Sequence, residues 1–141
     1  MQRAVLYACN QRIQLGNSIR NLNLKPAANY KKINDTTYVV HCPDSLVMMI
    51  GTGEYSQLYV LDDADFIFNK DSVVKTLTGA WVTNKKKQIN DLVKSKYELE
   101  QVLGDPSSIR PISWKHNNYE LNIGSISFEF ADMIYVEASI D

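Results

Sequence analysis

Apolar and polar residues alternate through the last thirty positions, 112–141, on either side of dipeptides that suit tight turns. This alternation predicts an antiparallel meander. A loop at Asn117-Asn118, where Asn tolerates positive φ, sets His116 opposite Tyr119, Lys115 opposite Glu120, Trp114 opposite Leu121 and Ile112 opposite Ile123. A second two-residue turn at Gly124-Ser125 sets Ile123 opposite Ile126, Leu121 opposite Phe128 and Tyr119 opposite Phe130. A three-residue loop at 131–133 then brings Ile134 opposite Phe130 and Val136 opposite Phe128. One face stays apolar across four strands, and a slip of one residue would turn each of these side chains over.

Upstream, strand-like runs occupy 37–42, 46–50, 57–61 and 66–68, separated by Pro43-Asp44, by Gly51-Thr52-Gly53 and by the acidic stretch Asp62-Asp63-Ala64-Asp65. Val47, Met48, Met49 and Ile50 are apolar in succession, as in a central strand covered on both faces. Asn17 or Ser18 can cap a short turn through Leu22, and Asp71 or Ser72 a short helix over 73–78 closed by Gly79. A helix over 85–93 shows Ile89, Leu92 and Val93 on one stripe. Ser95-Lys96-Tyr97-Glu98 reads as a capping box for a further helix to Leu103, stopped by Gly104 and Pro106. That helix covers the apolar face of the meander, giving an expected core of Leu99, Leu103, Trp114, Leu121, Phe128 and Val136.

The fold class is therefore α+β, with antiparallel sheet of about seven or eight strands, short helices packed on one face and a C-terminal four-stranded meander. With 141 residues, 45% of them hydrophobic, the chain suits one domain with a real core. Leu15-Gly16 with Ser18-Ile19 echoes Leu103-Gly104 with Ser108-Ile109. The echo is compatible with a tandem duplication into two similar halves, about 13–69 and 85–141.

The order helix, Leu103-Gly104-Asp105-Pro106, then a meander opened by Trp114 and continued by Tyr119 to Ile123, resembles the BLIP-like and SmpA-like helix-plus-sheet modules over residues 95–138. That resemblance implies action by binding other proteins. It carries no contact residue over to this chain.

Charge and chemistry narrow the field. Fifteen basic and sixteen acidic residues leave a net charge of −1, so no global field attracts a phosphate backbone, and nucleic acid is not the expected partner despite Lys85-Lys86-Lys87 near Trp81. Cys9 and Cys42 form no disulfide framework and suit a reducing compartment, which makes cytoplasm the expected location. Leu6-Tyr7-Ala8-Cys9 resembles the end of a lipoprotein signal, but its apolar run is too short for one. No stretch approaches the roughly 18 apolar residues of a membrane span. His41 and Cys42 are neighbours on a strand and point to opposite faces, so they make no thiol and base pair. Neither the cysteines nor the histidines have metal-ligand spacing, and no cofactor motif is present. Gly51-Thr52-Gly53-Glu54 lacks the Lys and hydroxyl of a phosphate loop.

These readings favour a non-catalytic binding or inhibitor-like protein, of the kind carried by bacterial or phage genes, that recognises a protein partner or a second copy of itself. Its expected contact residues are the loop aromatics Tyr55 and Trp81, His116 and Asn117 at the first turn of the meander, and Tyr135 on an expected free edge strand, 133–139, able to pair with another chain. The alternative is a small enzyme or ligand-binding domain built on Asp62, Asp63 and Asp65 or on His116.

Overall fold

In the computed structural model, residues 4–8, 11–18, 20, 22, 30–34, 36–42, 46–51, 56–69 and 73–141 are described. Twelve strands and one helix follow in the order β1 (Ala4–Ala8), β2 (Gln11–Gln14), β3 (Tyr30–Lys32), β4 (Thr37–Cys42), β5 (Leu46–Ile50), β6 (Gln57–Leu61), β7 (Asp63–Asn69), β8 (Val74–Thr83), α1 (Gln88–Leu103), β9 (Ser108–Ile109), β10 (Ile112–His116), β11 (Tyr119–Ser127) and β12 (Asp132–Ile140). They form a four-stranded sheet, β2-β1-β5-β6, and an eight-stranded sheet, β3-β4-β7-β8-β12-β11-β10-β9. Each named pairing is antiparallel. The α+β class and the antiparallel sheet read from the alternation are those of the molecule.

The small sheet packs on the half of the large sheet around β8, and α1 packs on the half formed by β11 and β12. One continuous core results, with Leu6, Ile13, Met48, Val40, Phe66 and Leu77 toward the small sheet and Leu99, Trp114, Leu121, Ile123 and Val136 toward the helix. Met48 and Ile50 are fully buried on β5, which lies between β1 and β6 as a central strand. At Gly79 the two layers meet so closely that a Cβ would fall 2.5 Å from a methyl group of Leu61. The chain crosses between layers with a single residue, Asp62, between β6 and β7. Its N–H donates to the Ala80 carbonyl (2.8 Å), and its carboxylate accepts from the Val82 N–H (2.7 Å). The acidic stretch is therefore a sheet crossing and the start of a strand, with only Asp62 separating the two runs.

Several local expectations give way to longer-range pairing. Residues 73–78 form an isolated bridge at Val73 to Ser18 and then the start of β8, not a helix, because Val73, Val74, Thr76 and Thr78 are β-branched and β7 and β12 hydrogen-bond on either side of β8. The two expected C-terminal helices are one. Asn84 caps it, its side-chain oxygen accepting from the Lys86 and Lys87 N–H groups at 3.0 Å each. Ser95, read as a cap, lies buried in mid-helix at 3% exposure. Leu92, Ser95, Leu99 and Val102 then share the covered face, while Ile89 and Val93 face solvent. Gly104 stops the helix as expected, and its carbonyl accepts from the Trp114 indole N–H at 2.9 Å.

The meander holds at its first turn and changes at its second. Lys115↔Glu120, Trp114↔Leu121 and Ile112↔Ile123 pair as read. β11 then runs straight through Gly124-Ser125 and turns at Phe128, whose N–H donates to the Ala131 carbonyl at 2.7 Å. Ile123 pairs with Val136 and Gly124 with Tyr135. Three positions apart on one strand, Ile123 and Ile126 point to opposite faces. Phe128 thus leaves the core for the surface, where it stacks on Phe130 (5.5 Å, 7°). The fourth strand of the meander is β9, on the far side of β10. Segment 133–139 is no free edge, because β12 is hydrogen-bonded to β8 and β11 along its length.

Candidate functional site

The small sheet has two edges, β2 and β6, and β6 pairs with β5 alone among the described residues. Alternation along Gln57–Leu61 sends Tyr59 and Leu61 inward and leaves Leu58 and Val60 exposed at 62% and 78%. Between β6 and α1 runs a groove of about 290 Å³, lined by Leu58, Tyr59, Val60 and Trp81 on the sheet side and by Asp91, Lys94, Ser95 and Glu98 on the helix. The four helix residues recur at i, i+3, i+4 and i+7, which places them on one stripe. Trp81, from the other sheet, stacks on Tyr59 with centroids 4.9 Å apart and planes 7° from parallel.

Burial is the main cause that pushes the Tyr59 hydroxyl well above the usual tyrosine range, with the nearby Glu98 carboxylate adding to the effect. Ser95 lies near enough to offset part of this, although the pair does not reach hydrogen-bond geometry. A phenol held neutral so firmly is a poor base or nucleophile and a good amphipathic platform. Asp91 is engaged by Thr83, whose hydroxyl donates to its carboxylate at 2.5 Å.

Of the residues singled out from sequence, Trp81 alone lies in this groove, and it is half-buried. Tyr55 falls outside the described residues, as does Cys9. His116 is exposed at the end of β10, and Asn117 turns the chain with φ 54°. Asn117 also borders a polar hollow of about 330 Å³ with Lys115, Asn118, Tyr119, Glu120, Ser139 and Asp141. Tyr135 lies over Gly124, where a Cβ would come 2.5 Å from its hydroxyl. The acids do not join His116, because β8, β12 and β11 separate β7 from β10. Asp62 is taken up by the Val82 N–H. Asp63 and Asp65 instead meet His41, whose Nδ1 lies 3.2 Å from one carboxylate oxygen and 2.8 Å from the other.

Sequence reading passed over Tyr59 and took Ser95 and Glu98 only as a capping box. The available signal was that Leu58 and Val60 alternate with Tyr59 and Leu61, so two apolar residues had to face outward from any core the strand joined. No protein-family model matches the chain, and comparison with curated proteins and with solved structures found no significant match.

Proposed function

We propose that this chain is a non-catalytic binding protein that takes an apolar segment of a protein partner along β6, with Trp81 and Tyr59 as the anchor platform. The observation that carries this reading is the parallel Tyr59 and Trp81 stack beside an edge strand that pairs on one side only among the described residues and bears exposed Leu58 and Val60. An edge strand supplies main-chain donors and acceptors in a row, and adjacent apolar side chains give an added strand its affinity. Rigid aromatics at the base of such a groove are the residue types that dominate binding energy at interfaces.

The groove is open and small for a drug-sized ligand, and its charges are mixed: Asp91 and Glu98 against Lys94. Two carboxylates beside one ammonium disfavour a phosphate backbone. The resemblance of residues 95–138 to modules that bind proteins points the same way. Self-recognition through β6 is the form of this reading that needs no second protein.

The test compares the wild-type chain with Leu58→Glu and Val60→Lys variants as baits in the native host, alongside light scattering of each. A partner or self-dimer held by the wild type and lost in both folded variants supports the reading. Retention by both variants would falsify it.

A further inference from the structure

We propose that His41, Asp63 and Asp65 form a binding site for a divalent first-row transition ion of the zinc or manganese kind. The site lies on the face of the eight-stranded sheet opposite Trp81 and does not rest on the reading of the groove.

The placement follows from strand register. His41 on β4 pairs directly with Asp65 on β7. Asp63, two residues earlier on β7, points to the same face by the period of two. One imidazole nitrogen and one oxygen from each carboxylate lie within 4.8 Å of one another. The two separations from Nδ1, 3.2 Å and 2.8 Å, are near the roughly 3 Å that adjacent donors keep around an octahedral ion, and side-chain rotation would open them to the roughly 3.4 Å of a tetrahedral one with bonds of about 2.0–2.2 Å. A neutral ring nitrogen carries at most one hydrogen, which cannot point squarely at both carboxylates. A divalent ion at the meeting point satisfies all three donors.

Ligand chemistry selects the ion. One imidazole with two carboxylates is a borderline donor set, suited to zinc, manganese or iron rather than to calcium, which takes oxygen donors alone. Three protein donors leave further positions for water or a ligand atom. The side chains are 46%, 49% and 38% exposed for His41, Asp63 and Asp65, so an ion enters from solvent without opening the fold. The scaffold is also rigid, since β7 is hydrogen-bonded to β4 on one side and β8 on the other, which leaves only side-chain rotation to be ordered. Thr78 faces Asp65 on β8, and Glu137 faces Thr78 on β12. Glu137 thus stands about 10 Å from the donors, adding negative potential without ligation.

Titration calorimetry of the full chain with zinc chloride and with manganese chloride tests the site, together with His41→Ala, Asp63→Asn and Asp65→Asn. The expected result is one ion per chain with a dissociation constant on the order of 10 µM, weakened about tenfold or more in each folded variant. In the wild type, a metal-dependent shift of the His41 Nδ1 resonance in nitrogen NMR, with His116 unmoved, is expected as well. No saturable binding up to about 1 mM overturns the proposal, and so does binding that the variants leave unchanged. Should one variant fail to fold by circular dichroism, the remaining two and the Nδ1 resonance decide the matter.

Discussion

Tyr59 and Trp81 belong to different sheets, yet their rings lie parallel and 4.9 Å apart, so the groove floor is also a joint between the two layers. Trp81→Ala removes the stack and part of the layer contact. A loss of about 2 kcal/mol is expected, read as a lower urea midpoint with unchanged slope. Trp81→Phe keeps an aromatic face and should recover most of it. If the Ala variant unfolds at the wild-type midpoint, the stack contributes nothing to the joint.

Alkaline titration bears on Tyr59, one of eight tyrosines. Its folded-state pKa is raised, first by burial and then by Glu98, whereas the unfolded chain releases this proton near pH 10. Stability is therefore fully present below about pH 10 and falls as pH rises from there toward the folded-state value. Ultraviolet difference titration should show a late tyrosine ionisation, well above pH 10, that coincides with unfolding and is absent in Tyr59→Phe. Glu98→Gln removes the second cause and should bring that late step to lower pH.

Gly79→Ala places a methyl group against Leu61, 2.5 Å from its Cδ1. Overpacking of this kind costs about 1–3 kcal/mol. Adding Leu61→Ala makes room, so the double variant should be more stable than the sum of the two single losses predicts. Additive losses in the double-mutant cycle would show that the layers slide apart instead.

Gln88, at the first turn of α1, donates from Nε2 to the carbonyls of Ile126 and Met133 and to the Ser127 hydroxyl at 3.2–3.4 Å. Gln88→Ala leaves both hairpin arms without this partner. Global stability should drop by about 1 kcal/mol, and amide exchange should speed up at the tip, residues 126–133, more than elsewhere. Uniform acceleration along β11 and β12 would count against a local role.

Asp62→Ala removes the carboxylate that accepts the Val82 N–H at 2.7 Å. A destabilisation of about 1–2 kcal/mol is expected, with Asp62→Asn recovering part through its amide oxygen. Denaturant melts of the two variants check the order.

How much of this was legible depended on distance along the chain. Asn117-Asn118 was readable because turn chemistry and alternation agree within a dozen residues. Gly124-Ser125 misled because a glycine suits a turn and equally suits the place where Tyr135 lies over the backbone. Only the pairing with β12 separates the two uses. β8 read as a short helix because a cap and a glycine bracket it, and its strand state is imposed by neighbours on both sides. That error created the false free edge at 133–139. β6, one edge of the small sheet, reads from the sequence as a strand over Gln57–Leu61. Its edge position and the Trp81 stack depend on a sheet order that adjacency in sequence does not encode. His41 and Asp65 are likewise 24 positions apart, and only register joins them.

The single-residue crossing at Asp62 also governs how the molecule assembles. β4 belongs to one layer, β5 and β6 to the other, and β7 returns to the first, pairing with β4 itself. β4 and β7 can pair only once the excursion through β5 and β6 has closed into a loop, so the large sheet is not whole until then. Such non-local closure slows folding. It also couples the layers mechanically: a pull on β6 is transmitted through Asp62 into β7 and β8, and fraying of β6 is opposed by the middle of the large sheet.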